Sequence, residues 1–344
     1  MAIGDSARYG YNSCLGISEE TTFGTKNDSY SYLEFLNESM KRNREEVKLD
    51  SINKGRDFEK RLSLNESVDG SVESNFNPAA DATVFLVKQA FGGTVSSANV
   101  ATSTIDNYLH TINLGDMESN AGTSTASDVK SLSFQVDKGG IVWDYVGCRV
   151  NTLTIKAEAG GPVMISADLV GKTASITSST PTAVFVDTLP LDFTGVTFET
   201  GDSLTNVSAE SVQSFEVTLN NNMNTDQRSL GDRTIDLLPP IQREITVKVS
   251  QRFDTTTAHN RYLDNTITAI KITLSSSQTI TSSTGSAVYE AILNLPRCYL
   301  NSNQPEVGGK DVLTHELDFA ALKNNTTTAF ALQMTVQNGT ASYL

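Results

Sequence analysis

Tryptophan occurs once in the 344 residues of this chain, histidine and cysteine three times each, and proline eight times. Each scarcity narrows the function. His110, His259 and His315 stand far apart, and no His or Cys pair has zinc spacing, so no metal site is expected. Cys14, Cys148 and Cys298 form an odd, scattered set without a CxxC pair, which reads as reduced thiols rather than a disulfide framework. A single Trp143 gives little of the aromatic surface on which sugars are usually held. Basic residues are also short. Lys and Arg number 26 against 40 Asp and Glu, for a net charge of −14 and a pI near 4.7. That balance opposes the basic face with which nucleic-acid binders grip phosphates, and suits a soluble protein or one that lets DNA pass. No apolar run approaches the length of a membrane span. The first five residues show neither the basic nor the apolar region of a secretory signal.

Catalytic patterns are missing too. There is no GxSxG, and Gly308-Gly309-Lys310 lacks the rest of a phosphate loop and precedes a strand pattern. The calcium-loop spacing of Asp and Asn is absent. His315 lies on the apolar side of its strand pattern, where a core histidine is expected. The chain is expected to be no enzyme and to need no cofactor.

Alternation of apolar and polar residues fills the space left by these absences. Leu153, Ile155 and Ala157 alternate with Thr154, Lys156 and Glu158. Val163, Ile165, Ala167 and Leu169 alternate with Ser166 and Asp168. Phe215, Val217 and Leu219, then Ile245, Val247 and Val249, repeat the pattern. Lys138-Gly139-Gly140 marks a hairpin. Thr83–Phe91 predicts a short helix capped by Asp81 and stopped by Gly92, and Thr255–Asp264 predicts another with Tyr262 and Leu263 on the core. Residues 94–128 and Gly171–Pro190 are Ser/Thr-rich and read as a surface excursion and a linker.

Residues 41–61 carry a net +3 in an otherwise acidic chain and read as a long projecting loop; residues 220–240 read as a second one. The chain also looks duplicated. Cys148-Arg149 leads to Gly160-Gly161, and Arg297-Cys298 leads to Gly308-Gly309, with an interval of 148 for the arginines and for the glycines. The fold class expected is mostly β: two modules, 1–190 and 191–344, each with a short helix and a long loop.

Several segments resemble the tail tube proteins of long, non-contractile-tailed bacteriophages. They are Tyr11–Ile17 with Glu19–Thr25, Val68–Glu73, Gly147–Asn151 with Leu153–Gly161, and Pro305–Gly309 with Val312–Thr314. The resemblance runs from about residue 9 to 322 and is weakest over 94–128 and after 323. It implies β-sandwich or barrel tube modules, rings stacked into a virion tail tube, and a lumen through which DNA reaches the host. It also implies contact with tape measure, tail terminator and distal tail proteins, and the scattered reduced cysteines read as synthesis in the cytoplasm, that of the bacterial host. Two modules per chain predict homotrimeric, pseudo-hexameric rings. Arg42, Arg44, Arg56 and Arg61, with Arg228 and Arg233 in the second half, are the expected inter-ring contacts, because guanidinium forks suit carboxylates. Glu158, Asp168, Glu216, Glu316 and Asp318 are the expected lumen acids, set to repel passing phosphates. A tail terminator, a capsid decoration protein and a secreted carbohydrate-binding β-sandwich are the alternatives.

Overall fold

Apolar residues at every second position make the strands, and glycine, asparagine and aspartate end them. The computed structural model describes residues 8–50, 52, 56–100, 107–115, 129–177, 181–280, 287–302, 312–323, 330–341 and 343. The first half contains β1 (Cys14–Glu19), β2 (Ser31–Leu33), β3 (Asn37–Glu38), β4 (Lys41–Lys48), β5 (Arg61–Asn75) and α1 (Asp81–Phe91). It continues through β6 (Gly92–Asn99), β7 (Tyr108–Leu114), β8 (Leu132–Asp137), β9 (Val142–Glu158), β10 (Met164–Gly171) and β11 (Thr173–Thr177). The second half contains β12 (Val196–Ser203), β13 (Asn206–Ala209), β14 (Ser214–Asn220), β15 (Glu244–Arg252) and α2 (Thr257–Leu263). It closes with β16 (Thr268–Ile280), β17 (Ala287–Ser302), β18 (Thr314–Ala321) and β19 (Gln333–Asn338). The protein is mostly β, as its alternation predicts.

Strand pairing repeats between the halves. In the first, β2–β1–β8–β9–β11 form one ladder series, and β9 continues into a second, β9–β10–β5 with β3 and β4 on the edge. In the second, β13–β12–β16–β17–β19 and β17–β18–β15–β14 reproduce both series. Every one of these ladders is antiparallel. Irregularities repeat as well. The β9–β10 register passes over Asn151, between Thr152 and Val150, as the β17–β18 register passes over Asn301, between Ser302 and Leu300. The strand interval is therefore 150, which equates Cys148 with Cys298 and Asn151 with Asn301. The interval of 148 matched Arg149 to an arginine on the other side of the cysteine, two residues out of register; Gly308-Gly309 lies outside the described residues.

On the other side of the repeat, Asn37 opposite Glu73 and Asn43 opposite Ser67 match Ser214 opposite Ser250 and Asn220 opposite Glu244. A backbone bond repeats with them: Leu36 N–H donates to the Glu73 carbonyl as Gln213 N–H donates to that of Ser250. β3 and β4 together are thus the counterpart of β14. Residues 44–66 and 221–243 fill the same place with the same number of residues.

The inward side chains of both halves belong to one buried apolar cluster, which includes Leu15, Ile17, Phe134, Ile165, Leu153, Val217, Val247, Ile272, Leu293 and Phe319. α1 is an element of that core. Ala82–Val87, Gln89, Ala90 and Phe91 are all buried, and Gly92 ends the helix in the left-handed region at φ 66°. Asp81 lies in its first turn; Ala80 is the cap residue. Two ladders bind the halves: β9 with β14, and β7 with β19.

Four further sequence expectations change. Residues 41–48 form β4, whose partner is β5, so the basic stretch is largely a β-hairpin arm; alternating Arg44, Glu46 and Lys48 hid it, because an arm exposed on both faces has no apolar period. Residues 220–240 do not hang free: Ile235 and Leu238 are buried, and Met223 bridges to Pro240. The supposed excursion 94–128 contributes β6 and β7. In α2, Ala258 meets the core while Tyr262 and Leu263 are exposed, since two short turns bury only one edge of a helix.

Candidate functional site

Across β5–β10–β9–β14–β15–β18, with β4 on the edge, one face of the sheet is buried and the other polar. The polar face gathers all five acids singled out from alternation. Glu158 lies on β9, Asp168 on β10, Glu216 on β14, and Glu316 and Asp318 on β18, each pointing opposite to the buried residues of its strand. Register sets them in rows. Lys156, Glu216, Lys248 and Asp318 lie side by side across four strands, and Glu158 and Glu316 flank Ser214 and Ser250 in the next row. Asp168 sits farther along, in a row with Ser71, Thr152, Asn220 and Glu244. The middle rows line a shallow concavity of about 700 Å³ that also exposes Met164 and Pro162.

The sequence reading missed the cations on this face. Lys156 pairs with Glu73 at 3.3 Å, and Lys248 stands between Glu216 and Asp318. Lys41 and Arg252 complete them, against the carboxylates of Asp69, Glu73 and Glu244 and the five already named. The face is net acidic but striped. Register across strands, which sequence alternation alone does not supply, is what brings these lysines in. Burial raises the pKa of the Asp168 carboxyl. Like-charge crowding is relieved elsewhere by the intervening lysines.

A second surface is the arm made by β4 and β5. Its root is fixed by Glu66, a 5 % exposed residue. Arg42 donates to Glu66 Oε2 at 2.6 Å, Thr173 donates to Oε1 at 2.6 Å, and Arg44 approaches to 3.9 Å. Burial opposes the charged carboxylate, but the hydrogen bonds from Arg42 and Thr173 outweigh it and hold the Glu66 pKa below its ordinary value. Arg228 donates to the carbonyls of Glu66 and Arg233, and Glu66 N–H donates to the Arg233 carbonyl, so the 221–243 segment braces the arm. Arg42 and Arg228 are therefore engaged within the chain. Arg61 pairs with Glu46 at 2.7 Å on the exposed arm, and the side chains of Arg56 and Arg233 are exposed. The outer arm also exposes Val47, Ile52, Phe58, Leu62 and Leu64.

Segments that carry the resemblance, together with the cysteines and two of the histidines, serve the fold. Glu20 accepts from Ser133 Oγ, Gly147 N–H and Gly24 N–H, pinning the start of the chain to the bend in β9, where Gly147 has φ 67°. Cys148 and Cys298 are fully buried, and burial pushes their thiols up, Cys298 to about 12. His315 is buried against Phe253 and 2.8 Å from Gln251, a core histidine as its strand pattern implied. His110 is enclosed between Ser97 and Asn338. Among the described residues no group of three His, Cys, Asp or Glu side chains could hold a metal ion. Nor is any helix among them long and apolar enough to cross a membrane.

No curated protein matches the chain. A family profile described as phage tail tube protein matches residues 10–321, which spans β1 to β18. The family is a structural one of the virion tail, and its match covers most of the chain: this chain is a member of the phage tail tube protein family.

Proposed function

We propose that this protein self-assembles into rings of three chains, each contributing two tube modules, and that the rings stack into the tube through which DNA leaves the virion. The observation that carries this reading is the repeated ladder plan: two modules of one design, already joined edge to edge by β9 and β14. Three such chains supply six modules, and closing the circle removes sheet edges that otherwise invite uncontrolled pairing. The polar face with Glu158, Asp168, Glu216, Glu316 and Asp318 is assigned to the lumen, where a net acidic surface keeps phosphates from settling. The arm is assigned to the neighbouring ring. Its apolar Ile52 and Phe58 and its exposed Arg44, Arg56 and Arg61, with Arg233 beside its root, give it both contact area and charge for an acidic partner surface.

Tape measure inside the tube, and terminator and distal tail proteins at its ends, are the further partners of this reading. Electron microscopy of the purified protein, from dilute to concentrated, tests it. Hollow tubes or stacked rings are expected; monodisperse single chains at every concentration would contradict self-assembly.

A further inference from the structure

We propose that neighbouring chains join by repeating, between copies, the ladder that joins the two modules within one copy. The outer edge of β4 at Arg42–Arg44 lies antiparallel against Asn301–Ser302 of the next chain. This rests on the ring reading above and adds its residue register.

The internal joint is the template. Asn220 lies opposite Thr152, and the Asn221 N–H donates to the Asn151 carbonyl at 2.7 Å. The Asn151 side chain accepts from Met223 N–H at 2.8 Å, so one asparagine holds two amides of the strand that arrives. The two repeat intervals carry each participant to a described counterpart. Asn220 and Asn221 become Asn43 and Arg44; Asn151 and Thr152 become Asn301 and Ser302. The asparagine recurs at position 301, and there its side chain is exposed. β4 has β5 on one edge and no ladder on the other among the described residues; β17 at Leu300–Ser302 likewise has only β18. Ser39 N–H donates to the Ser71 carbonyl while Glu66 N–H, opposite Arg44, goes to Arg233, so in this antiparallel ladder Lys41 and Asn43 face β5 and the N–H groups of Arg42 and Arg44 turn away from it. Two complementary half-ladders thus stand at opposite ends of one sheet.

One residue of this edge is already engaged. Met40 occupies the place of Val217, yet its N–H is taken by the Glu38 carboxylate and its carbonyl by Tyr145 Oη and Lys138 Nζ. The half-ladder that β4 offers therefore starts at Arg42. The second internal link, β7 with β19, has no such counterpart, because α2 runs directly into β16 where α1 is followed by β6 and β7. With one ladder where the internal joint has two, the joint between chains is the weaker.

Asn43→Cys with Ser302→Cys tests the register. The matching internal pair is directly opposed, within the span a disulfide bridges. Oxidised by glutathione disulfide after assembly, the variant is expected to give covalent trimers and nothing larger on a non-reducing gel. Thr152→Cys with Asn220→Cys, its internal counterpart, should close within one chain. Rings that form without cross-linking, while the internal control closes, would overturn the register and leave the ring reading standing. Covalent hexamers would overturn the three-chain closure instead. Hydrogen exchange on the unmodified protein gives an independent reading: the amides of Arg42 and Arg44 should slow about tenfold or more on assembly. Unchanged exchange there in assembled rings contradicts the pairing, whereas absence of rings under all conditions contradicts the reading on which it rests.

Discussion

Glu66 is where a single side chain carries the most structural consequence. It is nearly buried, it takes hydrogen bonds from Arg42 and Thr173, and its own backbone anchors the 221–243 segment. A carboxylate whose pKa is depressed on folding adds stability above its unfolded value, about 4.3, and loses it as pH falls through the folded value. Thermal melts should therefore show stability falling below about pH 5, and Glu66→Gln should flatten part of that fall while lowering the melting temperature at neutral pH. Arg42→Ala, which leaves the carboxylate without its main donor, should cost about 1–3 kcal/mol. The thiols give a second check at this scale. Burial raises the pKa of Cys148 and Cys298, so iodoacetamide at pH 8 should leave both unmodified in the native protein and reach them on unfolding.

The arm and the 221–243 segment show how an element can diverge while its frame is kept. Both fill the same gap in the repeat, yet one is a two-stranded arm and the other an irregular segment packed by Ile235 and Leu238. Replacing residues 50–59 by Asn-Gly, a turn suited to a two-residue hairpin, should leave a folded protein whose rings close but do not stack. Size-exclusion chromatography and microscopy would read this, and tubes of normal length from that variant would make the arm dispensable. Sequence made part of this legible. The buried strands were visible because Leu153, Ile155, Phe215, Val217 and their like recur at every second position, and α1 was visible because Gly92 stops an apolar run. The arm was not, since its two faces are both exposed, and the module interval was misjudged by two residues because Arg149 and Arg297 flank their cysteines on opposite sides. The five polar-face acids were found by alternation, but Lys156, Lys248 and Asn301 acquire meaning only from cross-strand register.

At the scale of the whole molecule, the proposed function has two modules in one chain set both the charge of a conduit and its symmetry. Replacing Glu216 and Asp318 by lysine would convert the row Lys156–Glu216–Lys248–Asp318 to a basic stripe. Tubes should still form, because these side chains lie on the polar face, but DNA release should slow at low ionic strength and recover as salt rises and screens the stripe. Release unaffected at low salt would remove those two residues from the lumen. The central claim is that one chain supplies two of the six modules in a ring. Averaged end-on cryo-electron microscopy views of the assembled protein test it most directly. The account predicts rings of three chains with six similar lobes alternating in outline, the armed module against its armless counterpart; rings of six chains, or of three lobes, would contradict it.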